Sequence, residues 1–172
     1  MKLGKRLTGV LVATVIMVAM FPGLTANATT SRPGHNCWRY KTTERSFVQK
    51  MNGARDRAGR SNLHIDKQLT KVARVHTKAM ARTNRLYHTP SSTLSSRVTK
   101  WRILGENVGV GGNVSSLHHA FMSSPAHRDN VLFGQYRHVG VGVKVDGNTM
   151  WVTVVFESQA DPGTTLRVAP SC

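Results

Sequence analysis

Between residues 43 and 58, Phe47, Met51, Ala54 and Ala58 recur at intervals of three and four, with Val48 beside them. That period predicts an amphipathic helix, capped by Thr43 and stopped by Gly59, with Asn52 and Arg55 inside it. A second helix is predicted from its cap Asp66 to about Asn84, with Leu69, Val72, Ala73, His76 and Met80 as its apolar stripe. A histidine on such a stripe reads as a packed side chain with one hydrogen bond. Pro90 keeps Thr89 extended, so His88 falls on a loop just past a helix end, a common place for a functional group. Ser91 to Lys100, with Leu94 and Val98 four apart, predicts one short helix. Trp101, Ile103 and Leu104 then lead to Glu106, and Gly109, Gly111 and Gly112 read as a flexible loop. Asn113 to Ser124 predicts a third long helix, with Val114, Leu117, Ala120 and Phe121 on one face and His118 and His119 at its surface. Pro125 ends it and puts His127 on the turn beyond.

The period then changes to two. Val139, Val141, Val143 and Val145 alternate with Gly140, Gly142 and Lys144, and a β-rich run from Met150 to Phe156 follows the turn Asp146-Gly147-Asn148. Residues 138–157 are therefore expected to form a hairpin. The two strand glycines would leave one face open to close packing by a helix or loop.

The first 28 residues have a different character. Lys2, Lys5 and Arg6 precede an apolar run from Val10 to Phe21; Pro22-Gly23 breaks it, and Ala26-Asn27-Ala28 supplies a small-x-small cleavage site. This is the pattern of a secretory signal peptide cut after Ala28, and the run is short for a retained membrane anchor. The organisation is then a signal peptide at 1–28, a polar lead-in at 29–43, one domain at 44–157 and a tail at 158–172. The predicted location is extracellular, with no stable membrane span after cleavage.

Cleavage would leave 21 Lys and Arg against 8 Asp and Glu, a net charge of +13. Such a field favours an anionic cell-envelope polymer or lipid, or else is simply a solvated surface. No short basic cluster resembles a nucleic-acid arm, so no nucleic acid is expected. The glycine loop lacks a P-loop lysine and dinucleotide-fold spacing. Both cysteines, Cys37 and Cys172, are too far apart for metal-ligand spacing; in an exported chain they suggest one disulfide, within the chain or between chains.

Several segments together resemble one family. They are Met51-Asn52-Gly53-Ala54-Arg55, Leu69 to Met80, Tyr87-His88, Gly105-Glu106-Asn107-Val108, Ser124 to Leu132, and His138-Val139-Gly140-Val141-Gly142-Val143. In this order the chain resembles the bacterial branch of the CAP superfamily, the SCP-domain proteins. Their eukaryotic relatives are cysteine-rich secretory proteins, antigen 5 and plant pathogenesis-related protein 1. The resemblance implies an α+β fold, a three-layer α-β-α sandwich with a central antiparallel sheet. It also implies a cleft in which His88, Glu106 and His127 match two family histidines and one glutamate. The second family glutamate has no counterpart, and Ser124 falls nearest to it. Two imidazoles and a carboxylate can hold Zn²⁺ with an open fourth position, or form a polar cluster without metal. Two functions compete: a non-catalytic extracellular binding domain, and a hydrolase using a metal-bound water or Glu106 as base. The binding domain is favoured because no Gly-x-Ser-x-Gly elbow is present and the second carboxylate is missing.

A Cys37–Cys172 bridge would close a loop worth about 5 kcal/mol in the chain-entropy limit. Non-reducing mass measurement with alkylation should therefore find no free thiol in the secreted protein, and replacing both cysteines with alanine should lower Tm. Two alkylated thiols would remove the bridge.

Overall fold

The computed structural model describes residues 38–158. The predicted leader, both cysteines and the tail beyond Ser158 lie outside the described residues. The first helix, α1 (Thr42–Arg57), starts one residue earlier than its predicted cap. Lys41 occupies the cap position, its N–H donating to the Glu44 carboxylate at 2.8 Å, so Thr43 lies inside the helix. Gly59, at φ +64°, takes the left-handed conformation just beyond the helix end. A two-residue strand, β1 (His64–Ile65), leads into α2 (Lys67–Thr83). There Asp66 accepts the Leu69 N–H at 2.8 Å, and Asn84 closes the helix at φ 49°. The short helix α3 (Ser91–Arg97) follows Pro90.

Gly109 and Gly111 are not in a loop but belong to a nine-residue strand, β2 (Ile103–Gly111), and Gly112 lies just beyond it. After α4 (Val114–Ser123), Pro125 does not leave a turn; it opens another helix, α5 (Pro125–Leu132), which carries His127 in its first turn. Proline is well suited to the first helical position, where its missing N–H would have no partner. The predicted hairpin is present as β3 (His138–Asp146) and β4 (Thr149–Ser158), with Gly147 at φ +54° in its turn.

The sheet order is β1-β3-β4-β2. β3–β4 and β4–β2 are antiparallel, and only the short β1 joins parallel to β3. Helices cover both faces, giving the three-layer α-β-α arrangement. On one face α1, α4 and α5 bury Phe47, Met51, Phe121 and Val131 against Val139, Val141, Val152, Val154 and Phe156. On the other, Leu69 and Ala73 of α2 and Leu94 of α3 pack on Val155.

Glycines set the distance between layers on both faces. A Cβ at Gly140 would fall on the backbone of Leu69 and Thr70, and one at Gly142 would lie 2.5 Å from the Ala73 carbonyl carbon. α2 therefore rests directly on β3. On the opposite face of β2, a Cβ at Gly109 would meet Phe121 at 3.0 Å and one at Gly111 would meet Leu117 at 3.1 Å.

Gly140→Ala and Gly142→Ala push a methyl into helix backbone that cannot rotate away, so each should destabilise by about 3 kcal/mol, the upper end of ordinary overpacking. Gly112→Ala, with nothing within 4 Å of its Cβ, should change stability little. Urea unfolding midpoints compare the three.

Candidate functional site

β2 is an edge strand, and its residues 105–107 join the two sides of the site. Successive side chains on a strand point to opposite faces. Glu106 points towards the α2–α3 side. Its Oε1 accepts the Thr89 N–H at 2.8 Å and faces His88 Nδ1 at 3.0 Å, and its Oε2 accepts the Thr89 hydroxyl at 2.6 Å. Glu106 is buried, whereas the His88 side chain is 59% exposed. The loop carrying His88 is held from behind by His76. The His76 Nε2 meets the Tyr87 carbonyl at 2.7 Å, and the two rings stand edge to face. His76 is thus the packed, singly bonded residue that its apolar stripe predicted.

Asn107 points the other way. Its amide donates to the His127 carbonyl at 2.9 Å, and its Oδ1 accepts from Asn130 at 2.9 Å. Asn130 also reaches the Glu106 carbonyl at 3.3 Å. Gly105 faces the same side, and a Cβ there would collide with the Tyr136 hydroxyl. The Gly-Glu-Asn sequence therefore has a physical reading: space for Tyr136, an anchor for the His88 loop, and an anchor for α5.

The far end of α5 is fixed by Arg55, fully buried in α1. Its guanidinium donates to the carbonyls of Val131 (2.8 Å), Phe133 (3.0 Å) and Tyr136 (3.3 Å), and its Nε to that of Ser61 (2.7 Å). A cation over the last carbonyls of a helix satisfies them and opposes the negative end of its dipole. In the sequence, the signal for this role of Arg55 is a charged residue within the apolar face of a helix.

His127 is half-buried. Its ring stacks on Phe121 with centroids 5.0 Å apart, and its Nδ1 pairs with the Ser124 hydroxyl at 2.9 Å. Burial holds His127 below its ordinary pKa, and the neighbouring His88 adds to the effect. The structure thus brings His88 and Glu106 into direct contact, and sets His127 within electrostatic range of His88 on its own support. Among the described residues no group of three or more His, Cys, Asp and Glu is placed to hold a metal ion. Both Glu106 oxygens accept hydrogen bonds from the His88–Thr89 loop.

Beside this pair lies a groove of about 550 Å³ between α3 and the start of β2. Ser91, Ser92 and Ser95 supply hydroxyls, Trp101, Leu94 and Leu104 supply apolar wall, and His88 and Glu106 close one end. His127 is not among its lining residues. Sequence reasoning missed the groove because Trp101 and the three serines become a wall only when β2 is recognised as a strand. His118, expected at the surface, is half-buried beside Phe47; burial lowers its pKa, and Lys50 and Arg57 add to that.

With this geometry in view, the model of the cysteine-rich secretory protein family, CAP, matches residues 48–156. The chain belongs to that family. The uncharacterised protein YkwD of Bacillus subtilis is 30% identical over 132 residues, covering 73% of this chain and 49% of the relative. The chain thus spans about half the length of that curated relative. Among solved structures, an outer surface protein of Borrelia burgdorferi aligns with TM-score 0.61 at 18% identity, over 67% of this chain and 91% of its own. An extracellular SCP-domain protein of Bacillus anthracis aligns with TM-score 0.58 at 25% identity, over 68% of this chain and 40% of its own. This CAP domain therefore shares its fold with extracellular bacterial proteins. Among the described residues no helix is long and apolar enough to cross a membrane.

His127 and His118 both favour the neutral ring in the fold. The unfolded chain then binds more protons as pH falls through the ordinary histidine value of about 6.5, so native stability should drop on acidification below that point. Ring NMR titration should place the His127 midpoint below 6.5, and His127→Gln with His118→Gln should flatten the stability profile between about pH 6.5 and 5.

Proposed function

We propose that this CAP domain is a secreted, non-catalytic binding module whose groove beside His88 takes the phosphate-bearing polyol head of an anionic envelope lipid or polymer. One observation carries the reading: the pieces of a catalytic triad sit on two different histidines. Among the described residues, His88 has a carboxylate but no hydroxyl hydrogen-bonded to it, and His127 has the Ser124 hydroxyl but no carboxylate. A nucleophile activated by an imidazole needs both on one ring. With Nδ1 held by Glu106, His88 offers Nε2 to a ligand. The serines and Trp101 provide the mix of hydroxyls and apolar wall that small-molecule grooves use.

A divalent ion is the second reading. A carboxylate on Nδ1 is the usual way of orienting an imidazole whose Nε2 binds metal, so His88 and His127 would be the holders, with Glu106 as orienter.

Short-chain phosphatidylglycerol and free glycerol phosphate, titrated separately by NMR, should shift resonances of His88, Ser92 and Trp101. Trp101→Ala should weaken binding about 30-fold, in the range of a truncated aromatic hot spot. Ester hydrolysis by wild type that disappears in His88→Gln would overturn the non-catalytic reading. Calorimetry with Zn²⁺ at pH 7.5 and 5.5 tests the second reading, since protons compete with the metal for imidazole nitrogen and binding should be weaker at the lower pH.

A further inference from the structure

The acidic side chains of this CAP domain are largely turned inward. Glu44, Asp66, Glu106 and Glu157 are all buried. Glu44 is bound by Arg74, Glu106 by His88 and Glu157 by His138, while Asp66 caps α2. Asp56, Asp129 and Asp146 are the acids left exposed among the described residues. The surface is therefore more cationic than the composition alone suggests.

That charge is ordered on α2. Lys67, Lys71, Arg74, Lys78 and Arg82 follow one another at intervals of four, three, four and four, and the helix contains no acidic residue. At 100° per residue they fall within about 80° of the helix circumference, and they extend over about 22 Å of its length. At the N-terminal end Arg74 is already bound to Glu44, and the Trp38 ring lies over Arg74, Lys71 and Lys67 at 4.3, 5.5 and 5.7 Å, so the cations left open are Lys78 and Arg82 at the other end. Nearby, burial holds the Lys41 ammonium below its ordinary pKa; Glu44 opposes this, and Arg74, Lys78 and Lys144 add to the lowering.

At the C-terminal end the stripe forms one wall of a groove of about 430 Å³. Lys78 and Arg82 face Arg97 of α3 across it, Val75 and Tyr87 give it apolar surface, and no acid lines it. Thr89 lines both this groove and the His88 groove, so the two adjoin.

We propose that this groove, with Lys78 and Arg82 of α2 facing Arg97 of α3, forms a docking track for a linear phosphodiester polymer, separate from the His88 groove. Lysine and arginine side chains spaced along a track match phosphates repeated along a flexible chain. The exposed Val75 and Tyr87 match the carbon skeleton of the units between phosphates. A groove suits a single flexible chain better than a flat bilayer surface or a rigid duplex. The proposal rests on the reading of the domain as an extracellular binder, but it uses residues outside the His88 groove.

The test is titration of the full chain with purified poly(glycerol phosphate) at 0.1 M salt, with single-stranded oligonucleotide and anionic vesicles as separate arms. Lys78→Gln/Arg82→Gln/Arg97→Gln should lose about 10- to 100-fold in affinity and reduce the salt slope. Arg45→Gln/Lys50→Gln/Arg57→Gln, the same charge change on α1 across the sheet, should lose less than about 3-fold, the screened long-range part. Equal losses in the two triple variants would reduce the track to a general field and overturn the proposal. So would an unchanged groove triple variant, no polymer binding by wild type, or tighter binding of oligonucleotide or vesicles than of polymer. Loss in His88→Gln with an intact groove triple variant would keep the binding-module reading but move the polymer to the His88 groove, which also overturns the track.

Discussion

The site depends on two neighbouring side chains of an edge strand, Glu106 and Asn107, that point to opposite faces of the sheet. Glu106 gathers the backbone and hydroxyl of Thr89 and the ring of His88. Asn107 holds the start of α5 by the carbonyl of His127. Neither histidine sits on the sheet itself, so their separation is set by how these two residues hold a loop and a helix. A buried carboxylate that loses a partner retains its desolvation cost, which makes the Glu106 anchor strong and intolerant of change. Arg55 fixes the other end of α5, so the helix carrying His127 is held at both termini by side chains from different layers.

Much of the fold was legible because its helices and hairpin follow clean periods. α2 announced itself through the Asp66 cap and its apolar stripe, and the glycines of β3 announced the close approach of a helix. What stayed hidden in β2 was a period of two in which a glutamate interrupts the apolar face and glycines and an asparagine make up the other. Leu104, Glu106, Val108 and Val110 alternate with Gly105, Asn107, Gly109 and Gly111. Glycines read as a loop when taken singly. They are strand residues here because Tyr136, Phe121 and Leu117 occupy the space where their side chains would be. Pro125 misled for a related reason: it ends one helix and begins the next, and only the packing of α5 on β2 decides between a turn and a helix.

The candidate site was legible as residue types and only partly as geometry. His88 and Glu106 meet, but the carboxylate serves the loop as much as the ring. His127 pairs instead with the Ser124 hydroxyl. Nothing in the local sequence distinguishes a carboxylate aimed at an open site from one enclosed by a backbone N–H and a hydroxyl. The inward-facing acids follow the same logic. Each buried acid is a structural anchor, and the consequence is a surface left to the lysines and arginines.

The central claim is that one strand anchors the two sides independently. Amide hydrogen exchange by NMR on Glu106→Gln and Asn107→Ala tests it most directly. Glutamine offers one acceptor oxygen where glutamate offers two, so Glu106→Gln should speed exchange at the Thr89 amide and leave Arg128 in α5 protected as in wild type. Asn107→Ala should do the reverse. Equal loss of protection on both sides in either variant, or no change in both, would contradict the account.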